Sequence, residues 1–189
     1  MLDEKTDEQL MIAYANNQIE AFQVLYSRYK TPLFRFILRQ TNNQTLTEEL
    51  FQDVWSKVIR AKDTYKHTAT FRTYIYQITR NTVIDNYRRQ SIRAVEINED
   101  NREMSNYENG CKADEPSTQV EQQQSYKSII AAINALSPEQ RDAFLLKEEA
   151  SLSIEEIAKV TQVKAETAKS RYRYAVKQLK ILLGHNHDK

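Results

Sequence analysis

An all-α chain of two small helical domains, joined by a flexible acidic linker and ending in a helix-turn-helix domain, is the architecture this sequence predicts. Three observations carry that expectation. The 189 residues hold only two glycines and three prolines, and 28% are charged, a composition that favours helices over sheets. Ser/Thr-x-x-Glu/Gln capping signals precede runs whose apolar residues recur at helical spacing. Between the runs, residues 94–124 carry Asn, Glu, Gly110, Pro116 and Ser117 with no sustained period, which reads as a linker. The expected boundaries are therefore 1–93, 94–124 and 125–189.

Four helices are expected before the linker. Thr6 to Gln9 forms a Thr-x-x-Gln capping box that opens the first. The second, Ala21 to Arg39, is apolar at helical spacing but contains Pro32, which is expected to kink or break it. A third starts near Thr47, with Glu48 and Glu49 at its positive end. It buries Leu50, Phe51, Val54, Trp55, Val58 and Ile59 and turns Gln52, Asp53, Ser56, Lys57 and Arg60 outward. A loop over 63–70 leads to a fourth helix from Phe71 to about Gln90, with Phe71, Ile75, Ile78 and Thr82 on its inner face. Four helices suffice for one compact domain.

After the linker, Ser137-Pro138-Glu139-Gln140 supplies an N-cap, a proline at the first helical position and a capping-box partner, and Ser153-Ile154-Glu155-Glu156 repeats the box. A short helix from Ile154 to about Val160, a turn at Thr161 and Gln162, and a longer helix from about Ala165 to Leu183 give helix-turn-helix spacing. In the last helix Ala168, Tyr172, Ala175, Val176, Leu179 and Leu182 form the inner stripe, leaving Glu166, Lys169, Ser170, Arg173, Tyr174 and Lys177 outward.

Charge is segregated along the chain although the net charge is only +1. Lys and Arg outnumber Asp and Glu by 13 to 5 over 28–93 and by 7 to 1 over 159–180, while over 94–124 the acids lead by 8 to 2. Two basic bodies around an acidic connector suit two separate polyanion contacts. The connector's acidity either keeps it solvated or lets it lie on a basic surface when no DNA is bound. In a recognition helix, Lys164, Glu166, Thr167, Ser170 and Arg173 are placed to read bases, and Lys169, Arg171 and Lys177 to hold phosphates. The alternative is a solvated basic face on an ordinary helical hairpin.

Other function classes have little support. No apolar run approaches the roughly 18 residues of a membrane span, and Asp3, Glu4, Asp7 and Glu8 replace a basic-then-apolar export signal, so a cytoplasmic location without membrane insertion is expected. A single cysteine, Cys111, excludes an intramolecular disulfide, and His185 and His187 read as a frayed tail. No cofactor or metal is expected, and no phosphate loop or nucleophile-base pair marks an enzyme.

The run from Leu136 to Lys180 resembles the fourth conserved region of extracytoplasmic-function (ECF) RNA polymerase sigma factors. The resemblance rests on Leu136-Ser137-Pro138-Glu139-Gln140-Arg141, Glu156-Ile157-Ala158, and Thr167 with Lys169-Ser170-Arg171, in the family's order. It departs at Gln162, where the family usually has glycine, and at Lys164, which replaces a serine N-cap. Residues 7–93 resemble the family's second region through Ala21-Phe22, Leu25-Tyr26, Arg28-Tyr29, the run Glu48 to Trp55, Phe71 to Tyr74, Ile78 to Asn81, and Asp85. The resemblance implies a protein that binds core RNA polymerase and directs promoter-specific initiation, for a stress or envelope-response regulon, with an anti-sigma factor as a further partner. It implies that Glu49, Gln52, Asp53, Lys57 and Arg60 grip a coiled coil of the largest polymerase subunit. The last helix then reads the minus-thirty-five promoter element. The loop from Tyr65 to Thr70, including Lys66, His67 and Thr68, pockets a flipped base of the minus-ten element.

Residues 65–93 have the aromatic and cationic mixture that single-strand capture needs. Arg72, Arg80, Asn81, Arg88 and Arg89 can follow a backbone, while Tyr74 and Tyr76 offer stacking faces; for Tyr74 and Tyr87 core packing is the competing role. Asp53 with Lys57 and Asp85 with Arg89 are also simple i, i+4 pairs. Two rivals stay open: a helix-turn-helix regulator acting without polymerase, and a partner-binding protein whose DNA surface is masked. Free rotation of the two domains about the linker is a further expectation.

Overall fold

Among the described residues, eight α-helices in two groups of four account for the regular structure, apart from two short 3-10 turns at Leu2–Glu4 and Lys62–Thr64. The computed structural model describes residues 2–100 and 120–184, with side chains over 2–92 and 127–184. The greater part of the expected linker, Cys111 and the two C-terminal histidines lie outside the described residues.

The first group comprises α1 (Asp7–Ala15), α2 (Ile19–Thr41), α3 (Gln44–Arg60) and α4 (Phe71–Asp100). The Thr6 capping box forms as expected, Thr6 Oγ1 accepting from Gln9 N–H and Gln9 Oε1 from Thr6 N–H. α2 runs unbroken through Pro32, contrary to the expected break. The ring removes one backbone donor, but Leu25, Leu33, Phe36 and Ile37 are all fully buried along the same face and hold both halves in register. α2 ends at Asn42, in the left-handed region (φ 50°), and Asn43 caps α3 by accepting from Leu46 N–H at 2.9 Å. That cap starts α3 at Gln44 rather than near Thr47. Glu48 and Glu49 consequently sit beyond its first turn, where the helix dipole favours them less.

The second group comprises α5 (Val120–Asn134), α6 (Pro138–Glu148), α7 (Ile154–Thr161) and α8 (Ala165–Gly184). α4 continues to Asp100 and α5 opens at Val120, so helix enters both ends of the segment read as linker. Ser137 caps α6 with Pro138 in its first turn, and the Ser153–Glu156 capping box opens α7. Gln162 takes the left-handed conformation (φ 57°, ψ 43°) that ends α7 and turns the chain into α8. Leu145, Leu146, Leu152, Ile157, Val160, Ala168 and Ala175 are essentially fully buried between α6, α7 and α8.

The two groups touch. α7 packs on α4, and α6 lies against α2. Burial accounts for most of the α3 and α4 inner stripes and half of that on α8, with corrections at the edges. On α3, Leu50, Val54, Trp55 and Val58 are buried, but Phe51 is half-buried and Ile59 exposed, because six apolar positions span more of the helix than α2 and α4 cover. On α4, Ile78 is only half-buried, and on α8 so are Tyr172, Val176 and Leu182.

Candidate functional site

α8 presents one side to solvent. Ala168, Ala175 and Leu179 anchor it inward. Lys164, Glu166, Thr167, Lys169, Arg173 and Lys177 are exposed, whereas Ser170 and Arg171 are half-buried. Arg173 lies over the ring of Tyr174, 5.5 Å from its centroid, and Tyr174 is itself exposed. A cation over an aromatic face keeps its charge outward while losing little side-chain freedom on contact. Tyr172 Oη donates to Glu148 Oε1 at 2.8 Å and ties the helix to the end of α6.

The outward side of α3 carries Glu49, Gln52, Asp53, Ser56, Lys57 and Arg60, all exposed. Asp53 and Lys57 do not pair. Lys57 Nζ donates instead to Thr82 Oγ1 on α4 at 2.7 Å, so this lysine braces α3 against α4. The edge of the same surface is aromatic, Phe51 packing with Tyr26 at 6.2 Å, Phe34 at 5.7 Å and Trp55 at 6.3 Å between centroids. With Tyr26 38% and Ile59 43% exposed, that surface is mixed rather than purely polar. The signal for this was present in the overlong apolar stripe of α3.

α4 and the loop before it spread the remaining candidates. Lys66, His67, Thr68, Arg72, Asn81, Arg88 and Arg89 are exposed. Tyr74 is half-buried, packing edge-on against Tyr65 at 5.2 Å. Tyr65 is pushed up to about 12, first by burial and then by the nearby Glu8 carboxylate. Tyr76 is 1% exposed and T-shaped against Phe36 at 5.3 Å, so it belongs to the core and offers no stacking face. Tyr87 donates to the carbonyl of Gln40 at 2.5 Å while its ring stays partly open. Asp85 and Arg89 form no ion pair with each other. Glu8, from α1, was missed in the sequence: its carboxylate accepts from Phe71 N–H at 2.8 Å and fixes the start of α4 from 63 residues away.

Arg80 differs from the other cations of α4. Its Nε donates to Asp142 Oδ2 on α6 at 2.6 Å, and the two side chains are only 16% and 12% exposed. Asp142 Oδ1 accepts from Gln40 Nε2 at 2.7 Å. Burial raises Asp142 above the ordinary carboxylate range, and Arg80 and Gln40 only partly oppose it. Nearby, Glu149 forms an ion pair with Arg35 at 2.9 Å and faces Arg39 at 3.8 Å. Glu156 adds a third connection, its Oε1 accepting from Thr70 and Thr73 at 2.9 and 3.0 Å while Oε2 completes the α7 capping box. Burial pushes Glu156 up, but these hydrogen bonds together outweigh it and hold the carboxyl below its usual range. The start of α4 and the start of α7 thus share one carboxylate, which both positive helix ends favour.

Among the described residues, no cluster of potential ligands could hold a metal ion, and no helix is long and apolar enough to cross a membrane.

Comparison with known proteins gives a consistent result. The family model for sigma-70 region 2 matches residues 25–92, and that for sigma-70 region 4 matches 126–179. The ECF RNA polymerase sigma factor SigX of Bacillus subtilis is 26% identical over 165 residues, covering 85% of this chain and 82% of the relative. The ECF RNA polymerase sigma-E factor of Escherichia coli K12 is 26% identical over 174 residues, covering 90% and 91%. Among solved structures, CnrH in complex with the cytosolic domain of CnrY superposes with a TM-score of 0.71 at 18% identity, over 98% of this chain and all of that one. The sigma factor RpoE of Bartonella quintana, solved with the anti-sigma factor NepR, gives 0.68 at 22% identity, over 86% and 96%. Both likenesses are of fold.

Proposed function

Since the chain belongs to the ECF group of sigma-70 factors, we propose that it docks on core RNA polymerase through the exposed side of α3 and holds promoter DNA through α4 and α8. The division of labour follows from which groups face water. Glu49, Gln52, Asp53 and Arg60 form a charged strip with a partly open aromatic edge, suited to a helical partner that is itself charged on one face and apolar on another. Lys57 braces that strip from behind, through Thr82.

α8 lies in the major groove of the upstream element. Lys164, Glu166, Thr167 and Arg173 face base edges and Lys169 and Lys177 take phosphates, with Ser170 and Arg171 at the margin. Lys66, His67, Thr68, Arg72, Asn81, Arg88 and Arg89 follow the downstream strand, and Tyr74 supplies the partly open ring beside them. An anti-sigma factor is a further partner, as NepR is for RpoE of Bartonella quintana, and the protein acts in the cytoplasm.

The observation that carries this reading is the coexistence, in one chain, of an exposed docking strip on α3 and an exposed basic side on the second helix of a helix-turn-helix. A plain DNA-binding regulator has no use for the first. Run-off transcription with purified core polymerase on a library of genomic promoters tests it. Wild type yields discrete start sites, and Gln52→Ala/Asp53→Ala lowers their yield by at least about tenfold, as for paired contacts at the centre of an interface. Intact DNA binding with no start sites from wild type overturns the reading in favour of the regulator.

A further inference from the structure

The first helical group offers the second a band of donors: Arg35 and Arg39 on α2, Arg80 on α4, and Thr70 and Thr73 at the start of α4. Facing them are three carboxylates, Asp142, Glu149 and Glu156, from α6, the residue after it, and α7. Each carboxylate is met by two side chains of the first group, because Asp142 also takes Gln40. Spacing donors of this type along a surface is what phosphate recognition requires, and a carboxylate engages the same donors.

We propose that this acidic edge is an intramolecular stand-in for nucleic-acid phosphates, latching the two groups together and covering part of the downstream-strand surface until DNA displaces it. The proposal rests on the assignment of α4 to single-strand binding. Arg80 shows the competition most directly. Its guanidinium is committed to Asp142 and largely enclosed, so it must be released before it can meet a phosphate. Thr73 is 2% exposed beneath Glu156 and needs the same release.

At these sites the contact is made by ion pairs and hydrogen bonds, and desolvated pairs gain little net free energy over their hydrated parts. A strand of phosphates supplies equivalent partners and gains by releasing its counterions. The expected free domain rotation is thereby replaced by a closed and an open arrangement whose balance sets the apparent affinity.

The test uses the full chain. Asp142→Ala/Glu149→Ala removes two of the three carboxylates, and Glu20→Ala/Glu155→Ala removes the same charge from exposed positions outside the contact. Small-angle scattering reports closure without DNA or polymerase, and fluorescence anisotropy with a short fluorescein-labelled single strand of mixed sequence reports binding.

The expected result is a larger radius of gyration for the first variant only, with binding about tenfold tighter than the charge-matched control. An unchanged radius overturns the latch and leaves the docking assay standing. A larger radius with affinity equal to the control overturns the competition. If the first variant does not fold, Arg35→Cys/Glu149→Cys in a Cys111→Ser background, bridged by a reducible bismaleimide, gives the converse reading. The bridged form is expected to bind the strand several-fold more weakly until reduced, and equal binding before and after reduction overturns the proposal.

Discussion

Two segments stand out in the sequence as basic, 28–93 and 159–180, and the structure uses their cations in opposite ways. Lys164, just before α8, and Lys169, Arg173 and Lys177 on it are exposed and, among the described residues, form no ion pair. In the first group much of the charge is spent inside the protein. Arg28 reaches Asp7 at 2.6 Å and the carbonyls of Asp3 and Lys5 at 2.6 and 3.0 Å. Arg35 and Arg39 meet Glu149, and Arg80 meets Asp142. Charge density along a chain therefore measures a capacity for polyanions, whereas availability depends on what the fold has already paired.

Substitution of matched triplets in the two regions should break this comparison if it is wrong. Lys169→Ala/Arg173→Ala/Lys177→Ala is expected to weaken binding to an upstream-element duplex by about a hundredfold or more near 0.1 M salt and to flatten the salt dependence by about two to three counterions. Arg28→Ala/Arg35→Ala/Arg39→Ala removes the same charge but should leave that salt slope unchanged and appear instead as a loss of thermal stability. Titration of binding against salt, with a melting curve for each variant, checks both. Equal slopes for the two triplets would mean that the paired arginines reach the upstream duplex as well.

A finer contrast lies between two carboxylates in the same contact. Glu156 is held below its usual range, so its contribution is present at neutral pH and is lost as the pH falls through that lowered value. Asp142 is raised by burial against Arg80 and Gln40, with Glu139 adding to the rise. Its contribution has the opposite sign, complete below the ordinary carboxylate range and lost as the pH rises through its raised value. Denaturant unfolding across the acid range should therefore show Asp142→Asn gaining on wild type as the pH rises and Glu156→Gln falling behind. Parallel curves would mean that the two sites share one electrostatic environment.

The helices themselves are legible because each carries its own signals. The Thr6, Ser137 and Ser153 caps all form, and apolar periodicity locates most of the residues that α3 and α8 bury, whereas on α4 it locates Phe71, Ile75 and Thr82 but not Thr73, Tyr76, Thr79 and Val83. Local signals also explain the misreadings. Pro32 suggests a break only when the chain is read without its neighbours, and Thr47, a good capping residue type, competes in the sequence with Asn43 four residues before it. The chemistry of Tyr76 suggests an exposed stacking face, but α4 turns it into the core against Phe36. What the sequence could not reveal is the contact between the two groups. Gln40 and Asp142 are 102 residues apart, and nothing in the pattern around either names the other.

The smallest predicted effect concerns the turn that separates the two helices of the helix-turn-helix. Gln162 sits at φ 57°, where its Cβ crowds the following carbonyl. The turn still forms because Val163 N–H reaches the carbonyl of Ala158 at 3.0 Å and Gln162 N–H that of Lys159 at 3.3 Å. Ile157, Ala158, Val160 and Thr161 are all buried on the α7 side, which over-determines the geometry. Gln162→Gly should relieve the strain and stabilise the fold by about 0.5–1 kcal/mol, the larger entropy of glycine in the unfolded chain offsetting part of the gain. Calorimetry reads that as a rise of a few degrees in Tm, about 2–8 °C for a domain of this size. The exposed Gln162 side chain precedes α8 and is not required for groove contact, so duplex affinity should stay unchanged. A fall in affinity without loss of stability would extend the base-reading surface backward into the turn and narrow the contrast between α8 and the elements that support it.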